Sequence, residues 1–195
     1  MRKISKLNLN FIIRASILYC ILAASFSLIG LTLPSKIVQT NPVSVLSIQE
    51  VGGHVIWGLV VAAASLSVRY IFLGGAFALL IDSDHLIGLA HIPAISRMSH
   101  SIAFGVLAAL VLMIIFGRKD YLLGATAFGG MLAHLSYDIF AGEDAMFPIY
   151  APFYDHQIKF SHPYWLVFEI AAVVLVGVVA LLAKRRRESL GKLKF

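Results

Sequence analysis

IDSDHLIGLAHIPAISRMSHS, residues 81 to 101, gathers Asp82, Asp84, His85, His91, Arg97 and His100 into one short segment. Apolar runs flank it on both sides, FLGGAFALL at 72–80 and IAFGVLAALVLMIIF at 102–116. The rest of the chain is poor in charge: 13% of its 195 residues are charged and 59% hydrophobic, with a mean hydropathy of +0.88. Soluble domains carry roughly 45–50% apolar and about 25% charged residues. This balance therefore predicts a single integral membrane domain over residues 1–195, all-α and built from several spanning helices. In such a chain an ionisable residue is costly and marks function. Carboxylates and imidazoles are also the side chains that hold divalent cations. Residues 81–101 thus read as half of a metal site whose other half comes from distant segments.

Moving outward, the first span is expected over Phe11 to Leu33. It is too long for a signal-peptide core and lacks a small-residue cleavage site, so it reads as an uncleaved helix. Residues 35–50 form a polar connection, and the second span covers Val51 to Val68, opening with GGHVIWG. The third begins at Tyr70, and Tyr70–Leu80 alone is too short for about 30 Å of hydrocarbon. It must run on through Asp82 and His85 towards Ala90, with Pro93 ending it, so the acidic cluster lies at membrane depth facing a cavity. The fourth span is 101–116 and the fifth 121–140, where GATAFGG allows close helix approach. Residues 141–163 read as a loop rich in Pro and aromatics, and 164–183 as the sixth span, stopped by KRRR at 184–187.

Six spans place the N-terminus, Arg69, Arg118–Lys119 and the basic tail 184–195 on one side. The positive-inside rule makes that side, and so both termini, cytoplasmic. His54, His85, His91, His100, His134, His156 and His162 all fall in the opposite half, which predicts one polar site facing the extracytoplasmic side. The net charge of +6 sits mainly at the two ends, as in lipid anchoring, and no basic-aromatic module for nucleic acid is present. The single cysteine, Cys20, lies within the first apolar run and excludes an internal disulfide or thiolate cluster.

His134 and Asp138 are four apart, so on a helix they share a face and can chelate one ion or bridge two. Asp82 and His85 share a helical face while Asp84 points elsewhere; if the helix ends there, all three converge. Close carboxylates repel unless a cation separates them. His54 and His100 open the second and fourth spans from the same side, where they are either helix-end residues or further ligands. Arg97, three before His100, is placed to clamp a phosphate or carboxylate, or else to face headgroups. His156 and His162 lie beside aromatics that read as a lid or interfacial belt.

GGHVIWG, LLIDSDHL, RMSHS and LAHLSYD, followed by a Pro-aromatic loop, resemble the YdjM-like family of inner-membrane-associated metal-dependent hydrolases of LexA-regulated or LexA-binding type. The resemblance covers about residues 50 to 155. The family's His-Arg pair reads Ser96-Arg97 here, so one expected ligand is missing, with His91 a possible replacement. What the resemblance implies is hydrolysis of an ester or phosphoester, the family being distantly similar to zinc-dependent phospholipase C. The expected ligands of zinc or manganese are Asp82, Asp84, His100, His134 and Asp138, with His54 and His85 next. Asp84 and Arg97 are the expected catalytic residues, and a membrane lipid or lipid-linked molecule the expected partner and substrate. A metal or proton transporter is the alternative, although no internal repeat is visible; a non-catalytic membrane scaffold is the other.

Overall fold

A computed structural model describes residues 6–33, 47–90, 96–142, 144–154 and 156–192. Among these are six α-helices: α1 (Lys6–Thr32), α2 (Ile48–Ala63), α3 (Val68–Leu80), α4 (Ile102–Phe116), α5 (Tyr121–Ala141) and α6 (Trp165–Lys192). Their starts follow from the sequence. Ser47 and Glu50 form a reciprocal capping box on α2, and Ser101 and Asp120 cap α4 and α5 by accepting from Phe104 N and Leu123 N. Gly117, with φ of +156°, ends α4 in a backbone conformation that a side chain would strain.

Small residues bring the helices together. A Cβ on Gly58 would lie 2.2 Å from the Gly74 carbonyl oxygen, so α2 and α3 touch backbone to backbone. Gly130 of α5 likewise faces Phe77 of α3. The expected close approach along GATAFGG is thus present. Around these contacts Tyr19, Leu73, Phe77, Phe104, Leu112, Leu123 and Met131 form a fully buried core. Tyr19 stacks on Phe77 at 4.4 Å, and its hydroxyl donates to the Ala127 carbonyl.

Two helices are long and apolar enough to cross a membrane, Leu9–Thr32 and His162–Ser189, with mean hydropathies of 2.0 and 2.8. Their outer faces expose Ile13, Ile17, Ile21 and Ile29, and Val167, Ile170, Val174 and Val178, as lipid contact requires. The helix count matches the expectation, but α2 and α4 have only 16 and 15 residues, against about 20 for a full span.

Three local expectations change. The third helix does continue beyond Leu80, but as a 3₁₀ helix over Ile81–Ala90, which turns Asp82 and His85 onto one edge because residues three apart eclipse. The 141–163 segment contains an antiparallel hairpin, β1 (Asp144–Phe147) and β2 (Ile158–Ser161), pairing Phe147 with Ile158. The basic run does not stop α6, which continues to Lys192. Pro93 lies outside the described residues, as do His91 and most of the 35–50 connection.

Candidate metal centre

Four segments deliver the site. The first turns of α2 carry His54, the start of the 3₁₀ helix carries Asp82 and His85, and a short 3₁₀ turn at Met98–His100 delivers His100 to the head of α4. One turn of α5 carries His134 and Asp138 on the same face. Five of these side chains converge. His54 Nε2 lies 3.3 Å from Asp82 Oδ2 and 3.4 Å from Asp138 Oδ1. His134 Nε2 lies 3.5 Å from Asp82 Oδ1 and 3.4 Å from Asp138 Oδ2. His100 Nε2 lies 3.6 Å from Asp82 Oδ1. Around a tetrahedral ion with bonds of about 2.0–2.2 Å, ligand atoms are about 3.3–3.6 Å apart. The imidazole–carboxylate separations within His54, His134 and Asp138 and within Asp82, His100 and His134 fall in or next to that range.

The proton positions point the same way. His134 Nδ1 sits 2.7 Å from the Ala78 carbonyl oxygen, which only accepts, so Nδ1 carries the hydrogen and a neutral ring leaves a lone pair on Nε2. His100 Nε2 is 2.7 Å from Arg97 Nη2, which only donates, so this nitrogen too presents a lone pair. Its Nδ1–H then donates to Ser99 Oγ at 3.0 Å, and the Ser99 hydroxyl donates to Asp84 Oδ2 at 3.1 Å. The two Nε2 atoms are 2.9 Å apart. At that distance the two nitrogens either share a proton or can both ligate one cation. His134 and His100 are fully buried.

Asp84 is also fully buried and turned towards α1, where Ser27 Oγ donates to its Oδ2 at 3.1 Å. It thus reaches His100 through Ser99, the arrangement that orients a metal-ligating imidazole from behind. Asp82, Asp84 and His85 form a further group whose ligand atoms all lie within 4.8 Å of one another. Arg97 has φ of +49°, a left-handed conformation that costs a non-glycine residue about 1–3 kcal/mol. In return its guanidinium spans His100 and Asp138, 3.2 Å from Asp138 Oδ2. Ser96 donates to the Ser27 carbonyl at 2.6 Å and fastens this turn to α1.

Phe147 of the hairpin lies parallel to His100 at 6.0 Å and beneath Arg97, so β1 roofs the centre. The opening lies beside it: the side chains of Arg97, Asp138 and His85 keep 24%, 19% and 16% of their exposure. His156 and His162 are exposed and stack on Tyr154 and Phe140, apart from the cluster. Sequence reasoning missed Ser27, Ser99 and Phe147. Ser99 had a signal in its place beside His100, whereas a serine inside an apolar helix and a phenylalanine in a loop gave none. No family model, curated protein or solved structure matches the chain.

Proposed function

We propose that the protein is a membrane-embedded, metal-dependent hydrolase of YdjM-like type, acting on a lipid or lipid-linked phosphoester at the extracytoplasmic face. The observation that carries the reading is the convergence of the buried Nε2 atoms of His54, His100 and His134 on the Asp82 and Asp138 oxygens, at 3.3–3.6 Å. His54, Asp82, His100, His134 and Asp138 would hold the ion, with zinc favoured by the imidazole-carboxylate donor set and manganese the alternative. A divalent ion there polarises a phosphoryl or carbonyl oxygen and lowers the pKa of water towards about 7.

The chain's own groups supply the rest. With His100 Nε2 serving as a ligand, Arg97 Nη2 would be free to donate to an anionic oxygen entering beside Asp138. Asp84 acts as a positioning residue, holding His100 through Ser99. Phe147 limits water access from above. Orientation follows from charge: Arg69, Lys184 and Arg187 line one hollow, and Lys119, Arg186 and Arg187 another, at the end remote from the cluster. That basic end would be cytoplasmic, with both termini.

A proton or cation path is the competing reading, since imidazole–carboxylate chains also conduct. It fits less well because the buried core beyond the cluster is mostly apolar, Leu73, Phe77, Phe104, Leu112 and Leu123, and the hydroxyls of Tyr19 and Thr126 within it are spent on backbone carbonyls. The test is a panel of phospholipids and lipid-linked phosphoesters in vesicles containing the purified, metal-loaded protein. Cleavage that disappears in His134→Ala is expected. Metal-loaded protein that cleaves nothing across the panel sinks the hydrolase reading.

A further inference from the structure

The ligand shell described above uses Asp82, Asp138, His54, His100 and His134 but not Asp84, whose part so far is to position His100, nor the part-exposed His85. Asp84 is fully buried, and while its Oδ2 accepts from Ser27 and Ser99, its Oδ1 has no partner. His85 points its Nε2 at Asp82 Oδ1 from 3.6 Å, and its buried Nδ1 has no partner either. A buried carboxylate oxygen without a donor is costly, because it has lost water and gained nothing. Both orphaned groups belong to the Asp82, Asp84 and His85 set, whose ligand atoms lie within 4.8 Å of one another.

Asp82 joins this set to the first. Its Oδ2 faces His54, while its Oδ1 faces His85, His100 and His134. Oδ1 therefore lies between His85 of this set and His100 and His134 of the first, so this one oxygen is placed to bridge two cations. We propose that the centre binds two divalent ions, the second held by Asp84 and His85 and sharing Asp82 with the first. This rests on the metal-dependent reading above and goes beyond it in number and ligands. The chemical consequence is a site that can grip two oxygens of one phosphoryl group, as two-metal phosphoesterases do with ions about 3.5–4 Å apart. It favours a phosphoester substrate over a carboxylic ester.

The local backbone suits this role. Within the 3₁₀ segment Asp82 and His85 eclipse at i and i+3 and face the imidazoles, and Asp84 turns to the serines. A regular α-helix would spread these groups differently. His85 is part-exposed and makes no hydrogen bond to the serine net, so replacing it leaves the Ser27–Asp84–Ser99 contacts intact.

The experiment is elemental analysis of the full chain, purified in detergent and loaded with manganese alone, with electron paramagnetic resonance on the same samples. Wild type is expected to hold two ions per chain and to show the spin-coupled signal of paired manganese. His85→Ala and Asp84→Asn are each expected to hold one and to show the six-line signal of an isolated ion. Wild type holding a single ion would overturn the second site and leave the metal-dependent reading standing. Wild type holding none would overturn both. Folded variants that keep two ions, or lose both together, would overturn the assignment of Asp84 and His85 to a separate ion.

Discussion

Replacing Ser99 by alanine should weaken metal binding without touching any metal ligand. The Ser99 hydroxyl lies 3.0 Å from His100 Nδ1, 3.1 Å from Asp84 Oδ2 and 3.2 Å from Ser27 Oγ, in a place with no solvent exposure. Its removal leaves a buried imidazole N–H without an acceptor, a loss of roughly 1–3 kcal/mol in stability. It also frees the His100 ring to turn, so that Nε2 is no longer held towards the ion. Outer-shell changes of this kind lower metal affinity about 10–100-fold, equivalent to about 1.4–2.8 kcal/mol. Ser101 supplies the control. It is equally buried and only two residues away, but its hydroxyl caps α4 through Phe104 N at 3.2 Å. Ser101→Ala should lower stability by about 1 kcal/mol and leave metal affinity unchanged. The assay is competition for zinc against a chelating dye in detergent, with thermal unfolding followed on the same preparations. If the two variants bind metal alike, whether both as wild type or both weakened, the Asp84–Ser99–His100 relay is not what orients the ligand.

Two further outcomes are expected. Gly58→Leu should destabilise the protein by at least the roughly 1–3 kcal/mol typical of overpacking, because its Cβ would lie 2.2 Å from a backbone oxygen that cannot move aside; a thermal midpoint in detergent equal to wild type would show that α2 and α3 do not touch there. In a Cys20→Ala background, Lys119→Cys should react with a membrane-impermeant thiol reagent only from the cytoplasmic side and Phe153→Cys only from the opposite side; the reverse pattern would invert the proposed orientation.

The site was more legible than the architecture, and the reason is energetic. Charged side chains are costly in an apolar chain, which singled out Asp82, Asp84, His100, His134 and Asp138, with His54 and His85 next, and the structure brings all seven into groups that could hold a metal, while Asp84 also turns to the serines. The α5 pair was the clearest case, since an i, i+4 spacing within one uninterrupted apolar helix leaves no doubt about facing. Asp84 was harder. Its neighbours in sequence suggest a ligand, but its Oδ2 partners, Ser27 and Ser99, lie 57 and 15 residues away. Hydropathy found six helices, recognised Tyr70–Leu80 as too short for a span and placed the fourth at 101–116, but could not say whether such short runs meet lipid or protein, because apolar runs look alike in either setting. The hairpin was missed for a related reason: its four-residue strands are too short for alternation to register among prolines and aromatics.

Charge balance ties the observations together. Asp82, Asp84 and Asp138 share the cluster with one guanidinium, that of Arg97, which pairs with Asp138, and a metal takes its imidazole ligands in the neutral form. In that form the three carboxylates exceed the guanidinium by two negative charges inside an apolar bundle, where each uncompensated charge costs several kcal/mol. Arg97 offsets part of that excess, and its left-handed backbone is the strain tolerated to bring it there. One divalent ion would bring the sum to neutrality, and a second would make it positive, the condition under which an anionic phosphoryl group is drawn in and its developing charge stabilised. A site built to conduct cations would keep its negative excess along a path through the bundle; this one confines it to one end, beneath Phe147 and above an apolar core. The charge therefore suits holding ions in place to act on an anion better than passing them through.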